Sequence, residues 1–549
     1  FMINENSENL INFWKTFSKN CLFWSNDFES TLTERNVKNK YENYYSKWSW
    51  FNNGHIDLKK SFFKNVNCNQ IFITNYNSKY EKIDIKYIDL LHQCSRIINT
   101  YFNDISKKRI MIIGTASPET STLMLASALS GKCHSVLFED LSIDSIISRI
   151  KIFKPDYLFI RSTFGDNKLS KLKNKFSNLE IECNKYQDFY SNNLDSKKYK
   201  EDILCEDTSS YKSIPDLNIK SEDYLFCLFS SGSTGKPKGI WHSFGPYLTY
   251  SSFTFEKYFN SSGAKNGIFC GTDAAWINGH TYAIYGPILS RVRTIFIDNL
   301  ASLQNPKILE DFILKTSPSF FYCSVTLLRA IKSISLITNL KNVSQVNTSI
   351  IGLGSCGEPL ANEVGKWAIN FFKTKNQFIV NTYFQTETGG VLVAPMSDNG
   401  EITDHSTVGK IDFPLEIKID HNDNSLFINN PWPGCFTKVT SDREVYYWDK
   451  NKRYLLHDLG WKDKENNLFI GGRTDDVLNV SGHRISTAEI ENTVLSTNLL
   501  ISEAAAVAID DPIIGNKIVV FYVNDSKEKI DSKFLKNYIS DKLTPYHKP

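Results

Sequence analysis

The sequence predicts an α/β protein: a large N-terminal domain (1–474) of layered α/β subdomains with a small β-rich subdomain, followed by a small α/β C-terminal domain (475–549). The chain has 549 residues, 41% of them hydrophobic, which is enough for a large core and more than one domain. Between about 85 and 160, strand patterns alternate with helical stretches, as in a parallel sheet. From about 415 the apolar runs become shorter, which indicates the β-rich subdomain at about 415–474.

Residues 1–84 are predicted to form a peripheral arm. The first 60 residues are polar but rich in Trp, Tyr and Asn, as in Trp48-Ser-Trp50-Phe51. We expect this arm to pack its aromatic side chains on the core of the N-terminal domain.

The elements that follow are predicted from apolar periodicity. The expected helices are Ile88–Phe102, Thr120–Leu129, Ile143–Ile152, Ala488–Leu495 and Phe534–Leu543. The expected strands are Arg109–Ile113, Ser135–Phe138, Tyr157–Ile160, Tyr224–Phe229, Ser319–Cys323, Ser349–Leu353, Gln377–Val380, Leu426–Ile428, Leu468–Ile470, Ala504–Ile509 and Lys517–Val523. Residues 190–220 are polar and charged, which favours a surface loop.

The overall charge excludes some classes of partner. The chain has 63 basic and 60 acidic residues and a net charge of +3, so neither a nucleic acid nor a membrane surface is an expected partner. No apolar run reaches the ~18 residues of a membrane span, and Phe1-Met-Ile-Asn4 does not resemble the start of a secretory signal. No obligatory protein partner is expected.

The cysteines indicate a reducing compartment. There are eleven, an odd number, and no two form a C-x-x-C pair. This pattern argues against a Cys-rich zinc site and against a disulfide framework. We therefore expect a cytoplasmic protein.

A loop rich in Gly, Ser and Lys follows the strand candidate Leu225–Phe229. Its small residues allow close approach to a ligand, and its backbone N–H groups, hydroxyls and lysines suit a polyphosphate. The loop residues are Ser231, Gly232, Ser233, Thr234, Gly235, Lys236 and Lys238. It is not a Walker A loop, because Pro237 follows Lys236. Glycines and Pro237 are expected to exclude strand and helix from 230–239; the alternative is a flexible surface loop.

A second glycine motif competes with this loop. Gly352-Leu-Gly-Ser-Cys-Gly357 fits the G-x-G-x-x-G pattern of dinucleotide-binding folds. Such a fold requires an acidic residue at the end of the next strand, whereas Gln377–Val380 is followed by Asn381. We therefore do not expect a nicotinamide or flavin site.

Several further motifs occur in a fixed order. Thr386 and Glu387 follow an aromatic pair and could hold a hard cation. The other motifs are Trp276-Ile-Asn-Gly-His-Thr-Tyr282, Tyr285-Gly-Pro287, Gly357-Glu-Pro359, Gln385-Thr-Glu-Thr-Gly-Gly390 and Asp475-Asp-Val-Leu-Asn-Val-Ser-Gly-His-Arg484. Together with the Gly/Ser/Lys loop, they resemble the adenylate-forming superfamily, and within it the acetyl-CoA synthetase branch. The resemblance extends over about 10–549.

The resemblance implies a two-step reaction that uses ATP, Mg²⁺ and coenzyme A. A small carboxylate attacks the α-phosphate of ATP to give acyl-AMP and pyrophosphate, and the CoA thiol then displaces AMP. Between the two steps the mobile C-terminal domain would rotate about a hinge at Asp475.

The resemblance also implies roles for individual residues. The Gly/Ser/Lys loop would hold the β- and γ-phosphates, and Glu387 with Thr386 would hold Mg²⁺ and the α-phosphate. Arg473 would support ribose and phosphate, Arg484 would contact a phosphate, and Ser481 and Gly482 would lie near the pantetheine of CoA. The implied nucleotide-binding residues are Gly357, Glu358, Pro359, Asn381, Thr382, Tyr383, Phe384, Gln385 and Asp458. The implied acyl pocket is Trp276, Ile277, Asn278, Cys356 and Phe384.

Two departures from the branch concern the acyl pocket. The branch usually has two tryptophans where this chain has Tyr383-Phe384, so the pocket could be slightly deeper. Asn278 could bind a hydroxyl or keto group of the substrate, or hold the backbone. One methylene changes selectivity by only ~1–3 kcal/mol. We therefore expect an acid of two to four carbons, with acetate or propionate as the first candidates.

Two other departures concern catalysis. The late lysine of the family has no counterpart before Pro549, so we expect the C-terminal domain to be truncated before its end. The arginine pair for the CoA 3′-phosphate has no clean match; only Arg161, Lys168 and Lys171 offer charge near it. A stand-alone adenylation enzyme that loads a carrier-protein thiol, and a catalytically impaired ATP- or acyl-AMP-binding protein, remain alternatives.

Overall fold

The computed structural model describes most of the chain. The described residues are 5–38, 44–175, 181–186, 189–190, 214, 216–231, 237–338, 349–397, 400–440, 444–449, 451–474, 477–480, 483–497, 499–511, 515–525, 529–543 and 547–549.

The helices and strands alternate along most of the chain. The helices are α1 Glu5–Cys21, α2 Leu58–Phe63, α3 Tyr87–Tyr101, α4 Pro118–Leu129, α5 Ile143–Phe153, α6 Asp166–Lys175, α7 Phe244–Thr254, α8 Ile277–His280, α9 Gly286–Leu289, α10 Pro306–Thr316, α11 Val325–Ile337, α12 Asn362–Phe372, α13 Thr487–Leu495 and α14 Ser532–Lys542. The strands are β1 Trp24–Asn26, β2 Ser30–Lys38, β3 Tyr44–Asn52, β4 His55–Ile56, β5 Ile71–Tyr76, β6 Lys82–Lys86, β7 Arg109–Ile113, β8 Cys133–Leu137, β9 Tyr157–Arg161, β10 Glu182–Tyr186, β11 Ile219–Lys220, β12 Tyr224–Ser231, β13 Pro237–Ser243, β14 Ile268–Gly271, β15 Thr294–Ile297, β16 Phe320–Ser324, β17 Gly352–Cys356, β18 Ile379–Asn381, β19 Ile417–Ile419, β20 Ser425–Ile428, β21 Lys438–Val439, β22 Tyr454–Lys462, β23 Leu468–Arg473, β24 Val477–Val480, β25 His483–Ser486, β26 Ile501–Asp511 and β27 Gly515–Asn524.

The first large sheet has seven strands in the order β10-β9-β7-β8-β12-β13-β21. The strands β10, β9, β7, β8 and β12 are parallel to one another, and β13 and β21 extend the sheet as antiparallel strands. The three predicted helices and three predicted strands between 88 and 160 are confirmed, each within about two residues of its expected ends. Their apolar periodicity was sufficient because every one of them has a face in the core.

The Gly/Ser/Lys loop lies at the tip of a β-hairpin, so the expectation that 230–239 contains no strand was wrong. Strand β12 continues to Ser231, and β13 begins at Pro237, its register partner. Proline is tolerated there because the first residue of a strand need not donate to the ladder. Gly239 pairs with Phe229, and a Cβ on Gly239 would lie 2.7 Å from Oγ1 of Thr440.

The second large sheet has the order β18-β17-β16-β14-β15-β5-β6 and is parallel except for β6. Residues 71–84, the last part of the predicted peripheral arm (1–84), contribute β5 and the first part of β6 to this sheet. The expected strand Ser349–Leu353 is shifted, because β17 spans Gly352–Cys356. A Cβ on Gly354 would lie 2.7 Å from the Tyr322 ring, so the second glycine motif makes room for aromatic packing.

One large core joins the two sheets. It contains Ile110 of β7 and Phe320 of β16 together with side chains of α4 and α7. All residues of α7 are buried, and all of α4 except Glu119. Helices that are buried on every side form the middle of a layered α/β domain.

The β-rich subdomain is a four-stranded antiparallel sheet in the order β19-β20-β22-β23. After this sheet, the β26–β27 hairpin packs with α13 and α14 around a separate hydrophobic cluster. Ser333 of α11 donates to Oδ2 of Asp525 at 2.5 Å. Among the described residues, no helix is both long and apolar enough to cross a bilayer.

Candidate active site

A cavity of about 590 Å³ lies at the carboxyl edge of the second sheet. Thr272 follows β14, and Ser324, Cys356 and Asn381 end β16, β17 and β18; all four line the cavity. The β-rich subdomain contributes to the opposite side through β22 and β23. Open α/β sheets bind their ligands outside the carboxyl ends of parallel strands, so this cavity is the candidate active site.

Most of the predicted nucleotide and acyl residues line this one cavity. They are Trp276, Ile277, Asn278, Cys356, Gly357, Glu358, Pro359, Asn381, Thr382, Tyr383, Phe384, Gln385, Thr386, Asp458 and Arg473. Glu387 and Lys238 do not line this cavity, and they form an ion pair with each other.

Asp458 is buried and held by three side chains. The Tyr383 hydroxyl donates to Oδ2 at 2.5 Å, and the Gln385 amide donates to the same oxygen at 2.6 Å. Nη1 of Arg473 lies 3.5 Å from Oδ1. Asp458 lines the cavity, and a carboxylate there suits a ligand that donates hydrogen bonds.

Glu387 is buried, and Lys238 and Tyr447 bind the same carboxylate oxygen. Nζ of Lys238 lies 2.9 Å from Oε1, and the Tyr447 hydroxyl donates to Oε1 at 2.6 Å. Nζ of Lys238 also donates to the Tyr447 hydroxyl at 2.5 Å. Burial raises the pKa of Glu387, but the Lys238 charge and these hydrogen bonds outweigh it and hold that pKa below its ordinary value.

His242 holds the turn that carries Thr386 and Glu387. Its Nε2 lies 2.9 Å from the carbonyl oxygen of Thr386. Burial lowers the pKa of His242 to about 4, so the ring is neutral at pH 7 and donates through Nε2. The turn ends at Gly389, where φ is +73° and a Cβ would lie 2.3 Å from the Gly434 carbonyl oxygen.

The residues beside Lys238 fit a magnesium ion. Glu387 supplies a carboxylate and Thr386 a hydroxyl, and Mg²⁺ prefers such oxygen donors. The described residues contain no group of three or more His, Cys, Asp or Glu side chains placed to hold a metal. That agrees with the usual mode of Mg²⁺ binding, by one or two carboxylates together with substrate phosphates.

The predicted acyl-pocket residues combine apolar and aromatic side chains with one polar side chain, that of Asn278. Ile277 is buried, whereas Trp276 is 51% exposed and its ring contacts the Phe138 ring edge-on at 5.2 Å. Asn278 donates through Nδ2 to the Cys356 sulfur at 3.1 Å. Phe384 lies against the Tyr282 ring, with 6.4 Å between ring centroids.

Two of the predicted nucleotide-binding residues, Gly357 and Glu358, have distinctive local geometry. Gly357 has φ of +88°, a conformation that favours glycine. The Glu358 carboxylate accepts hydrogen bonds from Thr326 and Arg329 of α11. Glu358 is therefore oriented by α11 and not by the cavity alone.

Comparisons with known proteins agree with this geometry. A family model described as AMP-binding enzyme matches residues 67–430. The chain is 30% identical over 517 residues to a Bartonella quintana protein named acetyl-coenzyme A synthetase, covering 88% of this chain and 78% of that protein. The chain belongs to the AMP-binding enzyme family.

Other similarities extend over nearly the whole AMP-binding enzyme. It is 28% identical over 574 residues to the Helicobacter acinonychis protein named acetyl-coenzyme A synthetase, covering 95% of this chain and 82% of that protein. A solved structure of an ATP-bound RpMatB-BxBclM chimera matches with a TM-score of 0.71 at 15% identity, covering 90% of this chain and 93% of that one. The predicted fold class and the predicted resemblance are both confirmed.

Some predicted residues of this AMP-binding enzyme lie outside the described residues. These are Gly232, Ser233, Thr234, Gly235 and Lys236 of the loop, the hinge residue Asp475, and Ser481 and Gly482. Two other predicted residues are described by their backbone alone. Ser231 stands at the start of the loop, and Arg484 lies within β25.

Sequence reasoning missed several residues of the candidate site. The cavity lining also includes Thr272, Ser324, Ser406, Val408, Ile470 and Gly472, and Tyr447 and His242 contact the turn of Thr386 and Glu387. Tyr447 lies 60 positions from Glu387, and only the fold brings the two together. His242 stands in β13 directly after the loop, so its closeness to the loop was a usable signal. An inward-facing histidine on a strand that leaves a ligand loop is worth testing as a contact to the site.

Proposed function

We propose that this protein is an AMP-forming short-chain acyl-CoA synthetase that activates a small carboxylate with ATP and transfers the acyl group to CoA. The observation that supports it is one cavity that the predicted acyl-pocket residues share with the predicted nucleotide-binding residues, Thr386 and Arg473. The relatives named acetyl-coenzyme A synthetase cover most of the chain and point to the same reaction.

The first step joins the acid to AMP. A carboxylate oxygen of the acid attacks the α-phosphorus of ATP, the bond from that phosphorus to the β-phosphate oxygen breaks, and pyrophosphate leaves. Such a step depends on positioning and charge stabilisation more than on proton transfer. In our proposal, Asp458 accepts hydrogen bonds from the ribose hydroxyls, Arg473 lies near the α-phosphate, and Lys238 moves from Glu387 to the departing phosphates.

The second step transfers the acyl group. The CoA sulfur attacks the acyl carbon, the bond to the AMP oxygen breaks, AMP leaves, and the thiol proton passes to solvent. Ser481 and Gly482 are proposed neighbours of the pantetheine, and Asp475 is the proposed hinge.

Magnesium would be held by Glu387 and Thr386 together with phosphate oxygens. Bound there, it would neutralise negative charge that develops on the phosphates. The protein's own part is to keep Glu387 ionised and oriented, which Lys238 and Tyr447 do in this structure.

The test is pyrophosphate release from ATP over straight-chain acids of two to six carbons, with and without CoA. We expect acid-dependent release, acyl-CoA formation when CoA is present, and much lower kcat/KM for hexanoate than for acetate or propionate. Release without acyl-CoA would favour an enzyme that loads a carrier protein. ATP binding without release would favour a catalytically impaired binding protein.

A further inference from the structure

We propose that the acyl pocket selects a short acid that carries a hydroxyl or carbonyl oxygen on its carbon chain, in preference to the unsubstituted acid of equal length. This inference rests on the proposed function and concerns the substrate class of the same site. The structural basis is the hydrogen bonding of Asn278.

The carbonyl end of the Asn278 side chain is fixed by two donors. Oδ1 accepts from the Thr272 hydroxyl at 2.9 Å and from the Gly279 backbone N–H at 3.1 Å. The surrounding donors determine which end of an amide is oxygen, so two donors at one end leave the nitrogen at the other. The Asn278 amide nitrogen is thereby directed toward β17.

The amide nitrogen meets a weak acceptor there. Nδ2 donates to the Cys356 sulfur at 3.1 Å, and a thiol accepts hydrogen bonds poorly. Burial raises the pKa of Cys356 to about 11, so it remains a neutral thiol at pH 7. An amide nitrogen has two N–H groups, and a single thiol uses their donor capacity incompletely.

The surroundings of Asn278 make this donor useful to a ligand. Asn278 is 7% exposed and lines the cavity, as do the apolar side chains of Ile277 and Phe384. A short carbon chain would pack on the apolar residues, and an oxygen on that chain would give the amide a strong acceptor. A buried donor that gains a good acceptor improves binding by about three- to tenfold.

The competing explanation is that Asn278 has a purely structural role. In that case the side chain only ties Thr272 to Cys356 and selects nothing. The two explanations differ in the selectivity of the enzyme, because a purely structural amide gives no preference for an oxygen on the substrate.

The experiment measures kcat/KM for pyrophosphate release by the full chain with matched acids. One set is propionate, lactate, pyruvate and 3-hydroxypropionate; the other is butyrate, 3-hydroxybutyrate and acetoacetate. We expect at least one oxygen-bearing acid in each set to exceed its unsubstituted partner by about three- to tenfold. In Asn278→Val this ratio should fall to about one, whereas Cys356→Ala, which removes the weak acceptor and retains the Asn278 amide, should keep it.

Each outcome decides a different question. Equal or higher kcat/KM for propionate and butyrate in the wild-type enzyme overturns the inference and leaves the proposed function intact, and this result does not depend on whether Asn278→Val folds. An unchanged ratio in a folded Asn278→Val also overturns it. Pyrophosphate release with none of the acids overturns the proposed function, and the inference with it.

Discussion

The Tyr447 hydroxyl donates a hydrogen bond to Oε1 of Glu387 at 2.6 Å, across 60 positions of the chain. Lys238 completes a three-membered contact, because its Nζ lies 2.9 Å from the same oxygen and 5.1 Å from the centre of the Tyr447 ring. The three side chains come from the loop hairpin, the turn after β18 and the β-rich subdomain. They bring the proposed phosphate and metal contacts together.

Tyr447→Phe removes the hydroxyl that contacts both the Glu387 carboxylate and the Lys238 ammonium group. A hydrogen bond to a charged group contributes ~1.5–3 kcal/mol, so we expect the free energy of unfolding to fall by about that amount. The measurement is urea unfolding followed by circular dichroism. Tyr446→Phe is the matched control, because Tyr446 is 45% exposed and its ring stacks on His457. Equal losses in the two variants would contradict the assigned contact.

Lys238→Ala tests whether this lysine acts on the leaving group. Removal of an electrostatic contact of this kind lowers a rate by about 100-fold or more, and we expect that loss in pyrophosphate formation. The CoA step started from preformed acyl-AMP should change much less, since no pyrophosphate leaves in it. Lys257→Ala, which breaks a 2.7 Å ion pair with Asp412 remote from the cavity, should leave both steps nearly unchanged. Equal loss in both steps of Lys238→Ala would reject the role.

Two glycines of the site should differ in their response to alanine. Gly357 has φ of +88° with open space around a Cβ, so Gly357→Ala adds only backbone strain of ~1–2 kcal/mol. Gly389 has φ of +73°, and its Cβ would lie 2.3 Å from the Gly434 carbonyl oxygen. Gly389→Ala should therefore lower the unfolding midpoint considerably more than Gly357→Ala. The reverse order in thermal unfolding would show that this turn is not packed as described.

Stability should decrease as the pH falls below about 6.5, because a buried histidine stays neutral in the folded state. Burial lowers the pKa of His280 from 6.5 to about 3, so between these values the unfolded chain binds a proton that the folded chain does not. Each buried histidine of this kind lowers the free energy of unfolding by up to ~1.4 kcal/mol for each unit by which the pH falls between those two pKa values.

His280→Gln should reduce this pH dependence. The measurement is the free energy of unfolding from urea titrations at pH 7.5 and at pH 5.5. His421→Gln is the control, since His421 is exposed in a turn of the β-rich subdomain and the slope should stay as in the wild type. A slope that is identical in all three proteins would exclude His280 as a source of acid lability.

Local patterns were sufficient for the elements between 88 and 160, because each helix and strand there has one face in the core. They failed where tertiary packing overrode a local rule. Glycine and Pro237 were expected to exclude strand from the loop, yet the hairpin places Pro237 at a strand start, where its missing N–H is tolerated. Residues 71–84 were assigned to an arm because nothing local reveals that β5 pairs with β15, more than 200 residues later.

The sequence by itself determined the fold class, the family resemblance and most of the residues that line the cavity, because these depend on periodicity and on motifs in a fixed order. Only the tertiary structure decided how those residues are oriented: that Asp458 already accepts from Tyr383 and Gln385, that Asn278 donates to Cys356, and that Glu387 shares Tyr447 with Lys238. The physical reason is that a hydrogen bond depends on distances of a few tenths of an ångström between side chains far apart in the chain, and no local pattern encodes those distances.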